Sequence, residues 1–374
     1  MKRWLLTLPG RSMPPAWWMG ALAALTVLML LAPAAATAGA TATSAAAGAG
    51  NASGRPASAV KPRLHPALNK DPKRLAEYGK MCAEMVGKIR PFNCLEGTIV
   101  PITVGGKTPA QYQPGMTCDR PALLPYDDDS FGQCTPYSRL LDLSYGKTQI
   151  SAMCRREQLR DKDSPYFDEV DIVAHNADTG ETCWFHAESD PAQKKTGFDA
   201  SRVPPPDEVQ PPPQKIAAGR FWWSPTATAG KNCLSCHDAD PFMYSPWIGQ
   251  LRYLLPADPL GRYSNVGKEF ALWHSNSLST RDNTCVGCHR IGDQMSCSLY
   301  VEMATGRKPA VGGNALAKSY PLSHWMPVDN NQSKAYWEQA NLESLNQLLD
   351  CCANPANPQC TVKPIVTPSK AGRR

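Results

Sequence analysis

The sequence lacks two features that would narrow its function at once. After the first 38 residues it has no apolar segment long enough to cross a membrane, which excludes a later transmembrane helix. It also has no cluster of basic residues interleaved with aromatic ones, so nothing indicates binding to nucleic acid. The net charge of +6 includes three basic residues near the N-terminus, and +3 remains without them. A charge this small gives no argument for an anionic partner.

The first 38 residues have the pattern of a signal peptide. Three basic residues precede an apolar run over 16–32, and small residues follow up to Ala38. The leader has neither a cysteine for lipidation nor an Arg-Arg pair for export of a folded chain. Because 17 residues are few for a membrane span, we predict cleavage of 1–38, with a membrane location only if the leader stays uncleaved. Residues 39–62, rich in Ala, Gly, Ser and Thr, are predicted to be a flexible tether.

Two Cys-x-x-Cys-His motifs carry the strongest signal in the chain. They are Cys233-Leu234-Ser235-Cys236-His237 and Cys285-Val286-Gly287-Cys288-His289. Two thiols at this spacing reach the two vinyl groups of one porphyrin, and the adjacent histidine then lies beneath the iron. Zinc is the main alternative, but 48 residues separate Cys236 from Cys285, whereas zinc ribbons leave about 15–20. A thioredoxin-like redox pair and disulfides are further alternatives, and neither explains the histidines.

The region around these motifs resembles c-type cytochromes over about residues 220–330. Gly230-Lys231-Asn232 before the first motif and Met326-Pro327 after the second carry the resemblance. It implies a bacterial periplasm as the compartment. It also implies two covalently bound haem c groups, with thioethers to Cys233, Cys236, Cys285 and Cys288 and with proximal iron ligands His237 and His289. Asp238-Ala239-Asp240-Pro241-Phe242, together with the Trp222-Trp223-Ser224-Pro225 lead-in and a hairpin predicted upstream, resembles exported bacterial dihaem proteins, and that resemblance implies no particular activity.

The short interval between the motifs bears on how the haems are arranged. The motifs start 52 residues apart, too close for two separate modules of about 80–100 residues each. We therefore predict that both haems share one compact helical unit. A later loop supplies the sixth iron ligand in c-type cytochromes. The candidates are Met326 and His324 for the second haem, and His274 for the first.

Ten of the 14 cysteines lie outside the motifs, and an oxidising compartment favours disulfides between them. Six precede the first motif and four follow the second: Cys82, Cys94, Cys118, Cys134, Cys154, Cys183, then Cys297, Cys351, Cys352, Cys360. Each set is even and can close on itself, but the spacing does not select the pairs. Because Cys351 and Cys352 would form a strained ring together, we predict that each bonds elsewhere and that they staple the C-terminal tail.

Local patterns predict one helix and then a β-rich region. The predicted elements are a helix over 73–88 and strands over 98–104, 149–155, 169–174 and 182–186. Asp178-Thr179-Gly180 predicts the turn of a hairpin between the last two strands. His175 and His186 lie on its two arms. They are interpreted as hydrogen-bonded strand residues, because no carboxylate or cysteine at ligand spacing completes a metal site.

Together these patterns predict an α+β fold. A disulfide-stapled, mainly-β domain is expected over 63–200. A Pro-rich linker follows over 201–215, where two blocks of three prolines hold the chain extended. A mostly α-helical, loop-rich dihaem cytochrome c domain with a disulfide-stapled C-terminal tail is expected over 216–374.

Two function classes are consistent with these residues. In the first, both irons have six ligands, and the protein carries electrons between periplasmic redox partners. In the second, one iron is open, and the protein is a dihaem oxidoreductase acting on peroxide or a small sulfur or nitrogen compound. A third class, in which the β domain recognises a protein or a glycan, stays open. Partners are therefore a redox protein or a small redox substrate.

Overall fold

The computed structural model describes nine stretches of the chain within one compact unit, 62–374. They are 69–102, 104, 107–113, 135–189, 196–242, 249–256, 260–288, 290–304 and 333–365. Several predicted features lie outside the described residues: the leader 1–38, the tether 39–62, His289, His324, Met326, Cys118 and Cys134.

The described residues form five helices and ten strands. The helices are α1 Pro72–Met85, α2 Ala218–Phe221, α3 Pro225–Gly230, α4 Val301–Ala304 and α5 Lys334–Ala353. The strands are β1 Thr98–Ile99, β2 Arg139–Asp142, β3 Thr148–Arg155, β4 Tyr166–Phe167, β5 Glu169–Asn176, β6 Glu181–Glu188, β7 Phe198–Asp199, β8 Ser264–Asn265, β9 Asn276–Thr280 and β10 Cys360–Pro364. Single 3-10 turns include Cys233–Ser235 and Cys285–Gly287, and a π-helical turn, Ser296–Tyr300, leads into α4.

A six-stranded sheet forms the centre of the fold. Its strand order is β1-β2-β3-β5-β6-β8, antiparallel except where β8 pairs in parallel with β6. Two smaller sheets pair β4 with β7 and β9 with β10. The three long strands β3, β5 and β6 are rich in β-branched and aromatic residues, which pack well on a pleated surface.

The predicted hairpin and the first predicted helix are confirmed. Gly180 has φ +82°, a left-handed conformation that glycine adopts without strain, and it ends the turn between β5 and β6. Asp71 caps α1 by accepting a hydrogen bond from the Arg74 N–H, and Pro72 occupies the first turn. The predicted strand over 149–155 is confirmed by β3. Of the predicted strand over 98–104, only β1 pairs as a strand.

One core joins residues from both sides of the Pro-rich segment. The Tyr78 ring of α1 lies 5.2 Å from Phe185 of β6 and 5.3 Å from Phe270, between ring centroids. The segment 201–215, predicted as a linker, is part of this packing. Its fully buried Val203 forms a β-bridge, and its Pro204 carbonyl accepts a 2.8 Å hydrogen bond from Trp222 Nε1.

The prediction of a mostly α-helical second domain is wrong. That part of the chain contributes β8 to the central sheet and forms the β9–β10 pair. Glycine and proline recur between 216 and 300, where α2 and α3 are only four and six residues long and α3 ends at Gly230. The stretch 334–353 has neither residue type and forms the 20-residue helix α5. The expectation of helices came from the cytochrome resemblance, and local composition overrides it.

Disulfides staple both ends of the described fold, as predicted. Cys82 bonds Cys183, Cys94 bonds Cys154, Cys297 bonds Cys352 and Cys351 bonds Cys360. Adjacent Cys351 and Cys352 therefore bond elsewhere, and the Cys351 bond holds the tail strand β10 against the end of α5. No helix in the described part of the chain combines the length and apolar character needed to span a bilayer.

Candidate functional site

The first Cys-x-x-Cys-His motif follows directly from α3. Ser224 caps this helix by accepting the Ala227 N–H, and Pro225 starts it. Asn232 then takes a left-handed conformation, φ +55°, which asparagine tolerates better than most residues. This turn sends the chain into the 3-10 turn Cys233–Ser235, so that both thiols and the next histidine lie on one short, compact segment.

His237 is held by a hydrogen bond that defines its tautomer. Its Nδ1 lies 2.9 Å from the Pro241 carbonyl oxygen. Because a carbonyl only accepts, Nδ1 carries the proton and Nε2 keeps its lone pair. Burial lowers the pKa of His237 to about 4, so the imidazole is neutral at physiological pH. A neutral histidine oriented through Nδ1 is the form that binds iron or another metal through Nε2.

Aromatic side chains fix the His237 ring from the sheet side. The Trp184 ring of β6 meets it edge to face, with 5.0 Å between centroids, and Trp184 Nε1 donates a 2.7 Å hydrogen bond to Asn265 Oδ1. The Tyr263 hydroxyl donates to the His237 carbonyl oxygen at 2.9 Å. Trp184 lies in the predicted strand 182–186, and it is 2% exposed. Its contact with the motif histidine was missed, because β6 and the motif are distant in sequence.

The motif thiols are free. Burial and the nearby carboxylate of Asp171 raise the pKa of Cys233 to about 12. Cys236 Sγ lies 2.9 Å from the Tyr300 hydroxyl and 3.6 Å from Met295 Sδ. The four free cysteines of the described residues are the four motif cysteines, and the other eight are all in disulfides.

The second motif is positioned by helix α5. Asn283 Nδ2 donates to the Ser344 carbonyl oxygen at 2.6 Å, and the Thr284 N–H donates to Ser344 Oγ at 3.1 Å. Cys285 packs beside the apolar cluster that contains Trp337, whereas Cys288 is exposed. The turn of the motif is thus fixed on its helix-facing side and open at its second thiol.

The segment after the second motif contacts the first motif. Arg290 forms an ion pair with Asp240. The Gln294 N–H donates to Asp238 Oδ2 at 2.7 Å, and Tyr300 lies against Cys236. The structure therefore brings the two motif regions together, although the unit that contains them is not the helical one predicted.

The remaining predicted ligands have different outcomes. His274, the candidate sixth ligand of the first haem, follows half-buried Trp273, and its side chain is exposed without a hydrogen bond to any described residue. Met295, which is not among the predicted ligands, lies against the first motif. His289, Met326 and His324 lie outside the described residues, so their roles stay predictions.

A group of buried and half-buried charged residues lies toward the ends of β3, β5 and β6, next to the first motif. We call it the charge network, and its members are Arg155, Glu169, Asp171, His186, Glu188 and Lys231. Strand register pairs Arg155 with Glu169, Glu169 with Glu188, and Asp171 with His186. Lys231, just after α3, closes the group by an ion pair with Glu188 at 2.6 Å. The Lys231 ammonium also lies 5.0 Å from the Trp223 ring centroid.

The network distributes its charge unevenly. Burial raises the pKa of Glu169, and Arg155 at 3.3 Å only partly offsets this. For Asp171, burial is outweighed by Arg155 and by a 2.7 Å hydrogen bond with His186 Nδ1, so its pKa is lowered. Burial lowers the pKa of His186, but its bonds with Asp171 and Glu188 outweigh burial and raise it.

Three members of the network have ligand atoms close enough to share a metal ion. Those of Glu169, Asp171 and His186 all lie within 4.8 Å of one another. Arg155 already pairs with both carboxylates, at 3.3 Å and 3.6 Å, so its guanidinium balances negative charge there without a metal ion. The sequence pattern does not reveal this group, because Glu169 and Asp171 are distant from His186 along the chain. The hairpin turn fixes the register, and that register places Asp171 opposite His186.

Comparison with protein-family models, with curated proteins and with solved structures finds no match for this chain.

Proposed function

We propose that this protein is an exported, periplasmic dihaem c-type cytochrome that carries electrons between redox partners. The observation that supports this most is the state of the cysteines. In an oxidising compartment free thiols are uncommon, and the four free thiols of the described residues are those of the two motifs. His237, with its proton on Nδ1, offers Nε2 to the iron beside the first pair.

The residues present fit a covalently attached haem. Each bound haem would supply one-electron chemistry at its iron. Cys233 and Cys236 would each form one thioether, by adding S–H across a vinyl group of the porphyrin. Pro241 and Trp184 hold the His237 ring in one orientation and limit the access of water to it. Asn283, Thr284 and Ser344 hold the turn of the second motif in the same way.

The contacts between the two motif regions favour electron exchange within one molecule. Asp238 and Asp240, directly after the first motif, bind Gln294 and Arg290, directly after the second. These bonds keep the segments that follow both motifs side by side. A carrier with two centres in one compact unit needs such a fixed separation, because the rate of electron transfer falls steeply with distance.

Haem content and iron ligation test the proposal in the purified holoprotein. We expect two covalently bound haems per chain by pyridine haemochrome analysis. The H237A variant should lose the low-spin spectrum of one haem, because its proximal ligand is gone. The matched control is H175Q, which changes a buried histidine bonded to Thr182, outside both motifs. A protein without covalent haem, or an H237A variant with both low-spin spectra intact, would contradict the proposal.

Carbon monoxide distinguishes a carrier from an enzyme. In the dithionite-reduced holoprotein, six-coordinate irons closed by protein ligands should give no spectral change with carbon monoxide. A shift at one haem would identify an open iron and support the oxidoreductase acting on peroxide or a small sulfur or nitrogen compound.

A further inference from the structure

The charge network indicates a property of the protein beyond electron transport. It places six ionisable side chains on one face of three adjacent strands and the segment after α3. Glu169 and His186 are the most buried, with side chains 10% and 2% exposed, and the other four side chains are 19–30% exposed. Burying charges costs several kcal/mol per ion, and well-packed apolar residues of similar volume often serve stability as well. Stability alone therefore does not account for this group.

Each member of the network has a partner within the group. The carboxylates and His186 compete for a small number of protons. Glu169 faces Arg155 from β3, Asp171 from its own strand, His186 and Glu188 from β6, and Lys231 from the segment after α3. His186 Nδ1 lies 2.7 Å from Asp171 and 3.5 Å from Glu169. Arg155 and Lys231 stay protonated, because the nearby carboxylates outweigh burial and raise their pKa values. The three carboxylates and His186 share the remaining protons, so a small change in the local field moves a proton on or off the group.

The first motif lies close enough to the charge network for the two to interact electrostatically. Lys231 is separated from Cys233 by one residue. His186 and Trp184 lie two residues apart on one face of β6, and Lys231, beside the motif, pairs with Glu188 at 2.6 Å. Electrostatic coupling is reciprocal, so a charge that changes beside the motif cysteines alters proton binding by the network. The paired strands β5 and β6 hold the charge network in a fixed position relative to the first motif, because Trp184 of β6 contacts His237.

We propose that the charge network takes up one proton when the haem at Cys233–His237 accepts one electron, and releases it on oxidation. This rests on the proposed function. The electron comes from a redox partner. The proton comes from hydronium in the solvent, one of whose O–H bonds breaks as the O–H bond on Glu169 forms. The added positive charge balances the added electron. Burial already raises the pKa of Glu169 to about 7, so this exchange falls in the physiological range.

The test is the midpoint potential of each haem as a function of pH, by spectroelectrochemistry of the holoprotein over about two pH units on either side of 7. The potential of one haem should fall as pH rises. For one proton per electron, the equilibrium constant for reduction changes about tenfold per pH unit. E169Q should abolish this dependence and keep both haems. D178N, which removes an exposed carboxylate paired with Lys147 on the same hairpin, should keep it.

Each outcome bears on one proposal only. Absence of covalent haem overturns the proposed function. Two haems with potentials independent of pH, or a pH dependence unchanged in E169Q, overturn the coupling and leave the carrier intact. If E169Q does not fold, the redox-difference infrared spectrum of the wild-type holoprotein decides. Coupling predicts the band of a protonated carboxyl group on reduction, and its absence overturns the proposal.

Discussion

At the scale of single residues, the first motif depends on groups that the motif itself does not contain. The Pro241 carbonyl selects the tautomer of His237, and Trp184 and Tyr263 hold the ring and its backbone. The His186 imidazole likewise depends on Asp171 and Glu188 for its proton. In both places a histidine is specified by its neighbours, and those neighbours come from other elements.

Glu188 gives a prediction about acid stability. Burial raises its pKa, but its bonds with His186 and Lys231 outweigh burial and lower the pKa to about 2. A carboxyl group with a depressed folded pKa stabilises the protein above its unfolded value of about 4.5, and this contribution is lost as pH falls toward 2. We expect E188Q to lower the free energy of unfolding at pH 7 by on the order of 2 kcal/mol.

Urea unfolding followed by circular dichroism, over a series of pH values, measures this difference. It should shrink as pH falls from about 4.5 to about 2. D142N, at an exposed carboxylate at the end of β2, is the control and should show no such trend. A difference between E188Q and wild type that stays constant with pH would refute the assignment.

At the scale of elements, the β5–β6 hairpin sets the register on which the charge network depends. Its turn ends at Gly180, where an added Cβ would lie 2.5 Å from Arg262 Cβ. Gly146, between β2 and β3, also has positive φ, but an added Cβ there meets nothing within 4 Å. Comparing substitutions at the two glycines therefore separates the cost of backbone strain from the cost of the close contact with Arg262.

We expect G180A to destabilise the protein more than G146A. Each substitution places a side chain at positive φ, which costs about 1–2 kcal/mol. G180A adds the clash with Arg262 and disturbs the parallel pairing of β6 with β8. Thermal unfolding of both variants measures the order. Equal losses would show that the approach of Arg262 is readily relieved.

At the scale of the whole molecule, the disulfides close loops of very different length. Cys82–Cys183 spans 101 residues and joins α1 to β6, whereas Cys351–Cys360 spans nine. In the loop-entropy model these closures are worth about 5 and about 2.5 kcal/mol. The double variant C82A/C183A should therefore lose more unfolding free energy than C351A/C360A, as measured by denaturant titration. The reverse order would show that the tail clamp stabilises through native contacts.

How much of the molecule the sequence predicts depends on the range of the interactions. Helix α1 and the β5–β6 hairpin follow from local periodicity, a cap and a turn, and they were predicted. The bonds of adjacent Cys351 and Cys352 to other cysteines follow from ring strain, and this was predicted too. The charge network and the contact of Trp184 with His237 require strand register and tertiary packing, which no local pattern specifies. The helical second domain was expected from resemblance alone, and recurring Gly and Pro prevent it.

The β9–β10 pair has a consequence for the order in which the protein matures. These two strands bracket the second motif: β9 ends five residues before Cys285, and β10 begins at Cys360. A chain emerges from the ribosome from its N-terminal end, so the first motif and the whole six-stranded sheet are available before β10 exists. The second motif is framed only when its closing strand arrives. In the proposed cytochrome, haem would therefore be attached to the second motif while this part of the chain is still open.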